Sequence, residues 1–92
     1  MASFTVRVEL KNSDWDTYNK LHEKMRLSGY SRQVRGDNGI VYQLPDAEYV
    51  AIKLLSSVQV HSEVLAIAKS LNNAPHVLVS ETVSRCWNLD QA

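Results

Sequence analysis

The sequence predicts an α+β protein of the ferredoxin-like class, with strands and helices in the order β-α-β-β-α-β. Three observations predict it: an alternating segment at residues 4–10, two later segments with helical periodicity, and β-branched segments after each of those two. We expect an antiparallel sheet with two helices on one face and the other face open. A chain of 92 residues suits one domain, with a core over about 4–83 and a short C-terminal extension over 84–92.

Local patterns predict the first strand and the first helix. In residues 4–10 every second side chain is apolar, which gives a strand one core face and one solvated face. Asn12 and Ser13 then offer side-chain oxygens for a helix N-cap. Side chains that can pack on a core recur at three- and four-residue steps as far as Gly29, which suits a helix C-terminus. The first helix is therefore predicted over 14–28.

The middle of the chain is predicted to contain strands joined by a tight turn. Residues 30–35 are extended in character but polar, and Asn38-Gly39 favours a reversal with positive φ. Residues 40–44 can return along that strand as an extra short strand, before a proline breaks the run. A more apolar strand follows over 49–54. The side chains of that strand expected to face the core are Val50, Ile52 and Leu54.

The second helix has the clearest periodicity in the chain. Ser56 or Ser57 can supply its N-cap. Its apolar positions follow the spacing i, i+4, i+7, i+8 and i+11, and they are Val60, Val64, Ile67, Ala68 and Leu71. Residues 76–83 are β-branched and extended, so they are predicted to form the last strand.

Composition places the chain among ordinary globular proteins. The net charge is zero, yet residues 1–36 carry a net charge of +3 and residues 37–92 one of −3, which allows a basic patch. Cys86 is the only cysteine, so no internal disulfide forms, and its neighbours indicate a structural thiol rather than a nucleophile. No apolar run has the length of a membrane span or signal segment, so we expect a cytoplasmic protein without a membrane partner.

Motifs for nucleotide hydrolysis and for structural zinc are absent from the sequence, which has no glycine-rich phosphate loop and no cysteine pair. The histidines His22, His61 and His76 stand on three different predicted elements, so we expect neither a metal site nor a cofactor. His22 follows the apolar stripe of the first helix. Packing at the edge of the core is one interpretation of this residue, and acid–base chemistry is the other.

Alternation along the strands places basic and aromatic side chains together on the open face of the sheet. The predicted members of this face are Arg7, Glu9, Gln33, Arg35, Tyr49 and Lys53. Such surfaces bind single-stranded RNA by stacking bases on aromatic rings and by pairing phosphates with Arg or Lys. The sequence therefore leaves two alternatives, an RNA-binding face on which Tyr49 stacks a base, and a solvated or dimer-forming face.

Cleavage of RNA without a metal needs a base for the ribose 2′-hydroxyl, an acid for the leaving oxygen and cations for the developing charge. The sequence contains all three types of side chain. His22 and Glu9 are the candidates for acid–base work. The candidates for phosphate contact are Arg7, Arg32, Arg35 and Lys53.

Residues 37–52 carry a resemblance to a known family. A Gly-Ile turn leads to a Gln-Leu pair and then to an aromatic residue that opens an apolar strand, as in the corresponding region of the GhoS family. The matching residues are Gly39, Ile40, Gln43, Leu44 and Tyr49 in this segment, and Leu21, Met25 and Tyr30 upstream of it. The chain resembles this family over most of residues 4–80.

This resemblance implies a ferredoxin-like fold, similar to that of a family of small CRISPR-associated proteins. It also implies an endoribonuclease, the antitoxin of a type V toxin–antitoxin system, which cuts the messenger RNA of a small membrane toxin. The chain departs from the CRISPR-associated pattern at Glu9-Leu10, where those proteins have an aspartate. Two alternatives are a non-enzymatic module that binds a partner protein or pairs through its sheet as a homodimer, and a small-ligand binding domain.

Overall fold

The computed structural model describes residues 1–92. Five strands and two helices form the α+β, ferredoxin-like arrangement that the sequence predicts. In chain order the elements are β1 (Ala2–Glu9), α1 (Trp15–Leu27), β2 (Gln33–Arg35), β3 (Val41–Gln43), β4 (Glu48–Lys53), α2 (Ser57–Lys69) and β5 (His76–Glu81). The extra short strand of the central connection is β3.

The main sheet has three antiparallel strands in the order β4-β1-β5. β2 and β3 form a separate antiparallel hairpin, turned at Gly39 with a φ of 81°. Two backbone hydrogen bonds of 2.8 Å between Ser31 and Val50 attach this hairpin to the edge of β4. The hairpin therefore continues the main sheet on the β4 side, while β5 forms the opposite edge.

The core lies between the main sheet and the two helices. Its fully buried side chains include Phe4, Val6 and Val8 from β1, Tyr49 from β4, Leu21 and Met25 from α1, and Val60, Val64 and Ala68 from α2. The helical members are spaced by four residues, so each helix buries one stripe. Each large apolar side chain buried in this way contributes about 1.5–3 kcal/mol to folding.

Side-chain caps fix the start of both helices. In α1 the N-cap is Asp14, whose carboxylate accepts hydrogen bonds from the Thr17 amide (2.9 Å) and hydroxyl (2.8 Å). The N-cap predicted at Asn12 or Ser13 is therefore displaced by one residue or more. In α2 the predicted Ser56 is the cap, and it forms a capping box with Gln59. Neither helix is long and apolar enough to cross a lipid bilayer.

The orientation predicted for β4 is wrong by one residue. Tyr49 is 0% exposed and packs on the helix side with Ala51, whereas Ile52 is 67% exposed. The reason is the register with β1, in which Tyr49 lies opposite Val6 and Ala51 opposite Phe4. Partners in antiparallel strands share a face, and a shift of one residue turns every side chain of a strand over.

The C-terminal segment, residues 82–92, lies across the face of the sheet opposite the helices. The Arg85 guanidinium donates to Thr5 Oγ1 and to the Phe4 carbonyl, at 2.9 Å each. Farther along, the Gln43 amide donates to the Asp90 carbonyl at 2.9 Å, so the segment also runs beside β3. This face is therefore partly covered and is not the open surface that the sequence predicts.

Candidate functional site

A cleft of about 470 Å³ lies beside the second half of α1 and the start of the β2–β3 hairpin. Only one of its ten lining residues is hydrophobic. We call it the His22 cleft, and its polar lining consists of Asn19, His22, Glu23, Arg26, Ser31, Arg32, Gln33 and Gln43, with Gly29 and Tyr30 completing it. A lining this polar suits a charged or strongly hydrogen-bonding ligand rather than an apolar one.

The buried hydroxyl of Tyr49 fixes the imidazole of His22. Nδ1 of His22 and the Tyr49 hydroxyl oxygen are 2.6 Å apart, and the two rings are tilted with centroids 5.7 Å apart. Tyr49 comes from β4 beneath the helix, and its inward orientation brings the hydroxyl to α1. The contact leaves Nε2 of His22 as the nitrogen available to a ligand in the cleft.

Both groups of this pair are neutral at pH 7. Burial lowers the pKa of His22, and the positive charge of Arg32 lowers it further, while Asp46 acts in the opposite direction. Burial raises the pKa of the Tyr49 hydroxyl, so the phenol keeps its proton. When the phenol donates to Nδ1, the imidazole proton lies on Nε2, and His22 presents a hydrogen-bond donor to the cleft.

Arg32 supplies the positive charge that lowers the pKa of His22. One of its Nη nitrogens donates to Asp46 Oδ1 at 3.1 Å, and its Nε is buried without a hydrogen-bond acceptor in the chain. The Arg32 carbonyl accepts a 2.9 Å bond from the Gln43 side chain, which fixes the backbone here. Its guanidinium therefore keeps donors that the chain does not use, next to a neutral imidazole.

The rim and the base of the cleft carry two further ion pairs. On the rim Arg26 and Glu23 form an exposed pair of 2.6 Å. Beneath the cleft, the Tyr30 hydroxyl donates to Glu63 at 2.8 Å, and Lys53 lies 3.3 Å from the same carboxylate oxygen. The Lys53 ammonium also donates to the Ser28 carbonyl and lies 4.6 Å from the centroid of the Tyr30 ring.

Two of the predicted members of the open face are thus wrongly placed. Tyr49 is fully buried on the helix side and cannot stack a base, and its contact with His22 makes it a positioning residue. Lys53 shares that side of β4 and is held in the network around Glu63. Both errors follow from the shift of one residue along β4.

Arg7 and Glu9 do lie on the face opposite the helices, as predicted. Glu9 lies 3.4 Å from His76 on the neighbouring β5, and Arg7 is paired across the strands with Glu48 and Leu78. This places them apart from the His22 cleft. Glu9 therefore does not meet His22 in one site, and the predicted catalytic pair is not brought together.

The structure assembles His22 and Arg32, and it adds residues that the sequence did not predict for the site. Asp46 and Gln43, which flank the proline after β3, hold Arg32 from two sides. The sequence marked Gln43 only as part of the family resemblance and did not mark Asp46, since the contacts with Arg32 join segments more than ten residues apart. No group of three or more His, Cys, Asp or Glu side chains is close enough to hold a metal ion.

Comparison with models of known protein families found no match, and no curated protein is similar to the chain at a significant level. The chemistry of the His22 cleft is therefore interpreted from its own residues.

Proposed function

We propose that the protein binds single-stranded RNA in the His22 cleft and cleaves it there. The observation that carries this proposal is the 2.6 Å contact between His22 and Tyr49 beside the Arg32 guanidinium. It supports the endoribonuclease function that the resemblance to the GhoS family implies. The site differs from the predicted one, because it lies on the helix side of the sheet.

Phosphate is the group that best matches the donors of this cleft. Nε2–H of His22 and the N–H groups of Arg32 that the chain does not use are donors in one cleft, and a phosphodiester offers only acceptors. Arg26 and Arg32 each have a carboxylate partner. The Arg26 pair is exposed, the Arg32 pair joins a partly buried guanidinium to an exposed carboxylate, and surface pairs contribute only about 0–1 kcal/mol. A phosphate can therefore replace a carboxylate at little cost in free energy.

Cleavage requires the second tautomer of His22. With the proton on Nδ1, the imidazole donates to the Tyr49 hydroxyl oxygen, and the lone pair of Nε2 can accept the proton of a ribose 2′-hydroxyl. The lowered pKa of His22 keeps this base uncharged at neutral pH. Arg32 stabilises the charge that develops on the phosphorus oxygens. The 2′-oxygen then attacks the phosphorus and the bond to the 5′-oxygen breaks. The leaving oxygen takes a proton from water, which gives a 2′,3′-cyclic phosphate and a free 5′-hydroxyl, and the protonated His22 returns its proton to solvent.

Incubation of the protein with a 5′-labelled mixed RNA pool, with and without EDTA, tests this function. We expect discrete cuts that persist in EDTA and that slow by about 100-fold or more in His22→Ala, because a general base contributes about 10²–10⁴-fold. His61→Ala is the matched control, since this histidine lies on α2 outside the cleft. Arg32→Gln should weaken binding and reduce its dependence on salt by about one phosphate contact.

The proposal would be contradicted if the parent protein left the RNA intact and did not retard it in a low-salt binding gel. The alternative would then be a module that interacts through its sheet. It is favoured by β5, an edge strand that pairs only with β1 and exposes 64% of Leu78. A dimer mass in sedimentation equilibrium of the same protein would support that alternative.

A further inference from the structure

We propose that Trp87 forms a base-stacking subsite for the same RNA, in a groove that adjoins the His22 cleft and carries Arg35 and Arg85. This inference rests on the proposed function, and it names where the strand runs beyond the reacting phosphate. It also supplies the aromatic platform that the sequence assigned to Tyr49 and that the burial of Tyr49 rules out.

The groove and the cleft adjoin each other. The groove, about 370 Å³ in volume, lies between β2 and the edge of β4, and Trp87 is at its far side. It shares Gly29, Ser31 and Gln33 with the His22 cleft. A strand that begins at His22 on the helix side can therefore reach the Trp87 side by passing over these three residues, where β2 meets the edge of β4. We call this second space the Trp87 groove.

The charge of the Trp87 groove matches a phosphate backbone. Arg35 and Arg85 line it, and no aspartate or glutamate does. Arg35 is exposed and forms no ion pair, so its guanidinium is free to bind an anion. Arg85 uses Nε and one Nη on β1 and retains other N–H groups. Two arginines without a carboxylate favour a polyanion over an acidic residue of a protein partner.

Trp87 is held in a position in which it can stack a base. Its ring packs against Tyr42 of the hairpin, with centroids 5.7 Å apart and an angle of 57° between the planes. The side chain is still 36% exposed, so part of it remains accessible from the groove. An aromatic ring held by its neighbours loses little conformational entropy when a base stacks on it. Arg35 and Trp87 thus combine a cation with a ring, the pair of groups that non-specific single-strand binding uses.

Intrinsic fluorescence of Trp87 tests the subsite. The chain has two tryptophans, so Trp15→Phe leaves Trp87 as the only one. A 2′-O-methyl oligouridine hexamer is the probe, because it lacks the hydroxyl that cleavage requires. We expect this probe to quench Trp87, and we expect Kd, measured by anisotropy of a labelled hexamer, to rise about tenfold in Trp87→Leu, since stacking of one base is worth about 1–3 kcal/mol.

Two further variants separate stacking from folding. Trp87→Phe keeps a ring on Tyr42 and should bind within about threefold of the parent, because stacking tolerates any aromatic face. Arg35→Gln should reduce the slope of log Kd against log salt by about one contact, whereas Lys69→Gln, on the last turn of α2, should not change it. If Trp87→Leu unfolds, these variants and the quenching still decide the question.

The subsite would be overturned, and the proposed function left intact, if the hexamer bound without quenching Trp87 and bound the parent protein and Trp87→Leu with equal affinity. Failure of the hexamer and of cleavable RNA to bind the parent protein would overturn both. Quenching together with weaker binding by Trp87→Leu, but not by Trp87→Phe, would establish the subsite.

Discussion

At the scale of single residues, the pair of His22 and Tyr49 links the core to the cleft. Tyr49 places its ring in the core and its hydroxyl at the edge, and His22 is the partner of that hydroxyl. A buried hydroxyl without a partner costs about 1–3 kcal/mol, so the imidazole stabilises the fold as well as lining the cleft. The same contact then sets which nitrogen of His22 meets a ligand.

This pair predicts a pH dependence of stability. The pKa of His22 in the folded protein lies below its ordinary value of 6.5, chiefly because of burial. Between the two values the unfolded chain binds more protons, so the free energy of unfolding should fall as the pH drops through this range. Above pH 6.5 the stability that depends on neutral His22 is fully present. We expect the free energy of unfolding, measured in urea, to fall more steeply with decreasing pH for the parent protein than for His22→Gln.

The control for this measurement is His61→Gln, for which we expect the same slope as the parent. Parallel curves for the parent and His22→Gln from pH 7.5 to pH 5 would show that burial and Arg32 do not hold His22 neutral. An NMR titration of the ring protons would give the pKa of His22 directly.

At the scale of secondary-structure elements, predictability from the sequence depends on how local the signal is. α2 follows from its own residues, because the Ser56 cap and the apolar spacing lie within 16 positions. β4 does not, since Tyr49 and Lys53 have both apolar and polar parts and fit either face of a strand. The register with β1 decides between the faces, and that register is a long-range property.

The cap of α2 gives a direct test of this local signal. Ser56 Oγ accepts from the Gln59 amide at 3.2 Å, and the Gln59 side chain accepts from the Ser56 amide at 2.8 Å. Ser56→Ala should lower the free energy of unfolding by about 1 kcal/mol, measured in urea. Ser57→Ala is the matched control, because Ser57 follows the cap and should change stability by less than about 0.5 kcal/mol. Equal effects of the two variants would contradict the capping box.

At the scale of the whole molecule, the candidate site lies where the sequence could not locate it. The net charge is zero and the first 36 residues are basic, which allows a basic patch but does not say where on the fold it lies. Arg7 and Arg32 come from the same basic segment but lie on opposite faces of the sheet. His22 and Arg32 could be named as candidates, whereas their meeting depends on contacts with residues 43–49. The position of Trp87 depends on contacts of the C-terminal segment with β1 and β3.

The C-terminal segment should therefore be an integral part of the fold, anchored at Arg85. Its guanidinium bridges to Thr5 and Phe4 of the central strand, and the Thr5 and Thr82 hydroxyls add a 2.8 Å bond beside it. Arg85→Met keeps the apolar stem and removes both bonds, so the free energy of unfolding should fall by about 1–2 kcal/mol. Proteolysis within residues 84–92 should become faster while the rest of the chain resists.

Arg7→Met is the matched variant for Arg85→Met. Arg7 lies on β1, the strand to which Arg85 donates its bonds, and it is exposed and forms no ion pair. It should leave both unfolding and proteolysis of the C-terminal segment unchanged. If Arg85→Met and Arg7→Met behave alike, the segment is held by its contacts with the β2–β3 hairpin instead. Trp87 would then keep its position on Tyr42 without the anchor, because the Gln43 and Ala92 backbone bonds would suffice to hold the segment.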